Sequence, residues 1–290
     1  MVRLTTRDFN RGMTQNTQQQ RTTLVLGGTG KTGRRVAERL AARGRPVRIG
    51  SRSGAPPFDW EDRTTWEPVL RDAASVYLAY YPDAGFPGAA DTIRAFTRTA
   101  ERSGVERMVL LTGRGEEGAQ RSEQAVRESG LAWTIVRSSF FAQNFSEDFL
   151  VEGVRSGAVA FPAGDVAEPF IDIEDIADVA VAALTEHGHA GRLYEVTGPR
   201  LLTFAEAIAE IAGASGRRID YLPISPEEFA SALTEHGASV GFATQLTDLL
   251  RTVLDGRNTH LADGVQRAVG REPRDFADYA RDTAAGVWAS

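Results

Sequence analysis

The stretch Leu24-Val25-Leu26-Gly27-Gly28-Thr29-Gly30-Lys31-Thr32-Gly33 constrains this chain more than any other. An apolar run breaks into glycines, and a helical pattern from Arg34 to Arg43 follows at once. That order is strand, tight turn, helix. It gathers unpaired backbone N–H groups and the positive end of a helix dipole at one point, where a pyrophosphate is well held. Gly27 lets the chain turn sharply, Gly30 lets the backbone approach the phosphates, and Gly33 lets helix and strand pack closely. Thr29, Lys31 and Thr32 complete the loop; Lys31 either adds a phosphate contact or faces solvent.

Beyond the loop, short β-rich runs alternate with helical patterns. Strands are expected at Thr22–Leu26, Val47–Ser51, a short one near Phe58-Asp59-Trp60, then Ser75–Tyr80, Arg107–Thr112 and Trp133–Arg137. Helical spacing marks Thr65–Arg71, Ala90–Ser103 and Ala119–Ser129. This alternation predicts an α/β fold, a Rossmann-type doubly wound parallel sheet that binds ligands at the carboxyl ends of its strands. Later the pattern loosens. Ile173–Leu184 reads as a helix capped by Asp172, Leu193–Thr197 and Asp220–Leu222 as strands, and Thr203 with Glu206 as a capping box. Pro226 opens another helix, and Phe242–Leu254 and Phe276–Trp288 are helical, so the C-terminal region is expected to be small and mostly helical. The polar residues 1–21 read as a disordered leader, with Met13 an alternative start.

Composition excludes several classes. The 290 residues carry a net charge of −6 with no basic block, which argues against nucleic acid as a partner. Without cysteine there is no disulfide, thiol nucleophile or thiolate metal site, in keeping with a cytoplasmic protein. No apolar run reaches the length of a membrane span, and no signal pattern opens the chain. No metal site is expected: His187 and His189 flank a glycine at a helix end, where histidine serves as a cap. Asp172, Glu174 and Asp175 sit at a helix start, where the dipole favours them. There is no Gly-x-Ser-x-Gly elbow of a serine hydrolase.

The second strand ends Gly50-Ser51-Arg52-Ser53, where an NAD site would carry a carboxylate for the ribose hydroxyl. An arginine between two hydroxyls suits a 2′-phosphate, so Ser51, Arg52 and Ser53 favour NADP(H). Ala79, Tyr80, Thr112 and Gly113, at the next strand ends, should border the cofactor. Tyr80 or Tyr81 stacks on a flat substrate or packs on the sheet edge. Arg114 follows, and Phe140, Phe141, Gln143 and Asn144 offer a substrate wall of aromatics and amides, with packing the alternative for Phe141 and Phe145.

These stretches resemble the NmrA-like group of atypical short-chain dehydrogenases/reductases. The likeness runs from the glycine loop through Phe58-Asp59-Trp60-Glu61-Asp62, Thr65-Trp66, Ser129-Gly130-Leu131 and Trp133-Thr134-Ile135-Val136-Arg137. It continues with Phe140-Phe141-Ala142-Gln143-Asn144-Phe145, Phe170-Ile171-Asp172-Ile173-Glu174-Asp175-Ile176-Ala177 and Gly270-Arg271-Glu272-Pro273-Arg274-Asp275-Phe276. The resemblance implies an NADP(H)-binding domain over 22–157, rejoined by 166–198, and a substrate domain over 158–165 and 199–290. It further implies a monomer or homodimer whose cleft takes a small hydrophobic aromatic molecule. The chain departs from the wider superfamily at its catalytic tyrosine and lysine. The helix after the fifth expected strand, Ala119-Gln120-Arg121-Ser122-Glu123-Gln124-Ala125-Val126, has neither. A tyrosine acid is then missing, which suits quinones and enones better than simple ketones, because their oxyanion is delocalised. Candidate catalytic donors are Asn144, Gln143 and Tyr80, with Tyr81 and Arg114 beside them and solvent as the proton source. The expected function is an NADPH-dependent reductase of aromatic quinones or enones, including polyketide intermediates. The alternative is a non-catalytic NADP(H)-sensing regulator that binds a partner protein.

Overall fold

The computed structural model describes residues 21–288. The leader expected over 1–21 lies outside the described residues except for Arg21, whose guanidinium donates to the Gly104 carbonyl at 2.6 Å. In chain order the strands are β1 (Thr22–Leu26), β2 (Val47–Gly50), β3 (Ala73–Ala79), β4 (Arg107–Gly113), β5 (Ala132–Ser138), β6 (Ala158–Phe161), β7 (Ala167–Glu168), β8 (Arg192–Val196), β9 (Leu202–Thr203) and β10 (Asp220–Pro223). The helices are α1 (Lys31–Ala42), α2 (Trp66–Leu70), α3 (Ala89–Arg102), α4 (Glu117–Arg127), α5 (Asn144–Glu147), α6 (Val151–Ser156), α7 (Ile173–Thr185), α8 (Phe204–Ser215), α9 (Pro226–Glu235), α10 (Val240–Val253), α11 (Gly264–Val269) and α12 (Phe276–Thr283).

Six strands form one parallel sheet in the order β2-β1-β3-β4-β5-β8. Successive residues of a strand point to opposite faces, and the core divides accordingly. Leu24, Leu26, Val76, Leu78, Met108 and Leu110 face α3 and α4. Val25, Tyr77, Val109 and Val136 face α1 and α7. The central strands β1, β3, β4 and β5 are buried on both faces, which is why they read as nearly continuous apolar runs, while the edge strands β2 and β8 are partly exposed. The order reverses between β1 and β3, so the crevice for a ligand opens at the ends of those two strands, at Gly27 and Ala79.

The third strand expected near Phe58–Trp60 does not form. Phe58 is buried in a loop, edge-on to Trp60 and Phe96 with ring centroids 4.8 and 5.8 Å away. The Asp59 carbonyl accepts from the Trp66 indole N–H at 2.9 Å. Aromatic packing against α3, not strand pairing, explains the residues there.

The caps expected at Asp172 and Thr203 form: Asp172 accepts from the Glu174 amide at 2.8 Å, and Thr203 with Glu206 closes a capping box. Ser225 with Glu228 closes a second box ahead of α9. His189 is no helix cap: α7 ends at Thr185 with Glu186 as its C-cap, and the His189 ring bonds the Tyr194 hydroxyl at 2.9 Å. Glu174 pairs with Arg35 and Arg39 of α1, and the fully buried Asp175 pairs with Arg271 and Arg274. Elsewhere β6 pairs with β10 and β7 with β9, and these small ladders, with α8, α10 and α12, enclose a third apolar cluster around Phe145, Phe161, Phe170, Phe204 and Trp288. Among the described residues no helix is long and apolar enough to cross a membrane.

Candidate active site

The glycine loop joins β1 to α1 through a turn that only glycine fits comfortably. Gly27 has φ +72°, and a Cβ on it would stand 2.9 Å from the Ala79 carbonyl oxygen. At Gly33 a Cβ would stand 2.2 Å from the Gly27 oxygen, so α1 lies directly on the loop. Helix α1 has no side-chain cap and no acidic residue in its first turn. Its first amides and its dipole are therefore left for an anion, which is the fit a dinucleotide pyrophosphate needs. Leu26 and Gly50 are paired neighbours on β1 and β2, which sets Ser51 beside Gly27. Arg52 is exposed and makes no hydrogen bond or ion pair among the described residues, and the Ser51 and Ser53 hydroxyls lie 3.5 Å apart.

Beyond the loop is a cavity of about 440 Å³. Gly27, Gly30, Lys31 and Thr32 line one end, with Ala79, Tyr80, Tyr81, Thr112, Gly113, Arg114, Phe140, Phe141 and Asn144 around its walls. Thr29, Gly33, Ser51, Arg52, Ser53 and Gln143 are not among its lining residues. Gln143 is a correction with a clear cause: its Nε2 donates to Asp172 at 2.7 Å and its Oε1 accepts from the Ile173 amide at 2.9 Å. The amide fastens the start of α7, and both its ends are spent there. Asn144, the next residue, points the other way, and its Oδ1 accepts from Lys31 Nζ at 2.8 Å. Lys31 also pairs with Asp148 and lies over the Phe141 ring, 5.7 Å from its centroid. Phe140 meets Phe149, Phe161, Phe170 and Phe204 edge-on. Tyr80 packs on Trp60 at 4.8 Å, whereas Tyr81 is 76% exposed.

Arg114 is more constrained than a free substrate donor. Its side chain is buried, with Nε on Glu195 at 2.6 Å and Nη1 on the carbonyls of Asn258 and His260 at 3.0 and 2.8 Å. Only Nη2 is left without a partner. Behind it, buried Glu123 accepts from Thr112 Oγ1 at 2.9 Å and takes both ends of the Arg137 fork at 2.8 and 2.5 Å. These ties fix the ends of β4 and β5 against α4.

Four acidic residues around the cavity escaped the reading of the sequence, and one of them, Asp148, is the partner of Lys31. Glu168 on β7 is buried with Oε1 unpartnered; burial pushes its carboxyl up to about 7, against the pull of Arg114. Asp83 and Glu116 follow β3 and β4 and both border Gly85 at the cavity wall. Also missed were Leu246, Leu249, Leu250 and Val253 of α10, with Leu254 just after it, which close the cavity with an apolar wall. The helical, apolar pattern of α10 was legible, but not what it faces.

The NAD(P)H-binding family model matches residues 27–187. This chain belongs to the NAD(P)H-binding family. It is an oxidoreductase that uses NAD(P)H, and its fold is similar to that of NmrA, a negative transcriptional regulator, with a TM-score of 0.69 at 16% identity over 92% of this chain and 96% of that one. It is 32% identical to the uncharacterized oxidoreductase YesF of Bacillus subtilis over 92% of this chain and 96% of that one. It is 31% identical to the NAD(P)H azoreductase of Xenophilus azovorans, covering 92% of this chain and 99% of the other. In fold it is similar to the NADPH-dependent quinone oxidoreductase QOR2 of Escherichia coli, with a TM-score of 0.74 at 20% identity over 90% of this chain and 99% of that one.

Proposed function

We propose that this protein reduces a hydrophobic, aromatic quinone or enone with NADPH. The observation that carries the reading is one cavity with the phosphate loop at one end and the leucines of α10 as its wall. When bound, the reduced nicotinamide supplies a hydride. The chain supplies the rest. Gly27, Gly30, Gly33 and the first amides of α1 hold the pyrophosphate, and Ser51, Arg52 and Ser53 hold the 2′-phosphate. Ala79, Thr112 and Gly113 border the nicotinamide end. The α10 leucines exclude water and orient a flat apolar acceptor, with Phe140, Phe141 and Asn144 opposite. The likeness to an azoreductase and a quinone oxidoreductase supports a conjugated acceptor.

Stopped-flow absorbance with a panel of naphthoquinones and aromatic enones tests this. NADPH is expected to be consumed with at least one of them and not with simple ketones. No consumption with any acceptor overturns the reading and favours the sensor alternative. A separate experiment addresses the nucleotide. In Arg52→Ala, titration calorimetry is expected to show NADPH binding weakened by about 10- to 100-fold, the worth of one charge-assisted contact, with NADH affinity nearly unchanged. Equal losses for both nucleotides sink the 2′-phosphate assignment.

A further inference from the structure

We propose that Asp83 and Glu116 form a carboxyl pair sharing one proton, and that Glu116 delivers it to the acceptor oxygen during reduction. This rests on the reductase reading above. It supplies the acid that the missing tyrosine and lysine leave open.

The two carboxyl groups converge on Gly85: a Cβ there would run into Glu116 Oε2 and stand 3.1 Å from Asp83 Oδ1. Two carboxylates this close and this buried repel each other, and one proton held between them removes the repulsion. Glu116 is 7% exposed, and its Oε2 receives no donor from the described chain. It stands at the N-cap of α4, yet its carboxyl caps no amide there. Two glycines make room for it instead: a Cβ on Gly113 would stand 1.7 Å from Oε1, and one on Gly85 2.4 Å from Oε2. Asp83 is less buried and accepts from the Gly85 amide at 2.6 Å.

Independent groups on the same cavity also await a ligand. Arg114 Nη2 and Glu168 Oε1 are both buried and unpartnered, and no ion pair joins their side chains. Arg114 thus offers a fixed N–H to a second oxygen or to the ring of a conjugated acceptor.

The electrostatics agree with a held proton. Burial first, then the charge of Asp83, then Glu123 on α4, push the Glu116 carboxyl up to about 9. Burial raises Asp83 as well, while the Gly85 amide pulls it back. The other charged groups on the cavity are Lys31, Asp148, Arg114 and Glu168, and α10 presents only apolar side chains to it. As hydride from the dihydronicotinamide adds to the acceptor, an electron pair moves onto the acceptor oxygen. An O–H bond forms there as the Glu116 O–H bond breaks. The doubly charged pair then takes one proton back from solvent through Asp83, its more exposed member.

Infrared difference spectroscopy of the protein with NADP+ bound tests this without turnover. At pH 7 a protonated-carboxyl band is expected that is lost in Glu116→Gln, kept in Glu168→Gln, and shifted when 1,4-naphthoquinone binds. In single turnover with NADPH and 1,4-naphthoquinone, Glu116→Gln is expected to be slower by about 100-fold or more. The decline of the wild-type rate at high pH should vanish in Glu116→Gln and move to lower pH in Asp83→Asn, where the repelling charge is gone. No band at pH 7, a band that ignores bound naphthoquinone, or a Glu116→Gln rate within about threefold of wild type overturns the carboxyl pair alone. Failure of every acceptor to consume NADPH overturns the reductase reading.

Discussion

Gly33→Val is expected to weaken NADPH binding by at least about 100-fold while the protein still folds. A Cβ at position 33 would stand 2.2 Å from the Gly27 oxygen, 2.6 Å from its carbonyl carbon and 2.8 Å from the Gly28 Cα. All three are backbone atoms of the phosphate loop, so no rotamer change relieves the clash. Helix α1 must move off the loop, and the amides of Lys31 and Thr32 move with it. Each charge-assisted bond lost to the pyrophosphate removes about 1.5–3 kcal/mol. Overpacking itself costs about 1–3 kcal/mol of stability, which thermal melting will register separately. Gly213→Ala is the control. Nothing lies within 4 Å of a Cβ there, in the last turn of α8, so it should stabilise by up to about 0.5–1 kcal/mol and leave binding alone. Unchanged NADPH affinity in Gly33→Val, read by calorimetry, removes the loop from the cofactor site.

Arg137→Met should cost about 3–5 kcal/mol, the penalty for leaving a buried charge without its partner. Glu123 is 2% exposed and depends on the two-pronged contact from Arg137. Its remaining partners are the Thr112 hydroxyl and Arg127, 3.9 Å away on the same helix. Neither replaces a fork of two N–H bonds. In Arg137→Met with Glu123→Gln most of the loss should return, because the neutral amide no longer needs a cation. Urea midpoints at unchanged slope measure both variants. A single-variant loss below about 1 kcal/mol would show the pair to be solvated in practice.

Local chemistry was legible wherever contiguous residues make the feature. The glycine loop, the Asp172 cap and the Thr203–Glu206 box each close within a few positions, so residue type and spacing suffice. The sheet was legible too, because its central strands are apolar on both faces. The aromatic run at Phe58–Trp60 misled, since such residues suit a strand as well as a loop packed on Phe96. Gln143 and Asn144 are equivalent as a sequence pair, yet one turn of backbone sends one to α7 and the other to Lys31.

The sequence by itself determined the phosphate loop and, through it, the cofactor class, because adjacent residues create both the turn and the helix end. Only the tertiary structure decided which acids matter. Asp83, Glu116 and Glu168 look like ordinary solvated carboxylates in loops and short strands, and their proton affinity comes from what folding places around them. Burial and a like charge are properties of neighbours distant in sequence: β3 beside β4, β7 beside β9, and α10 closing over the cavity.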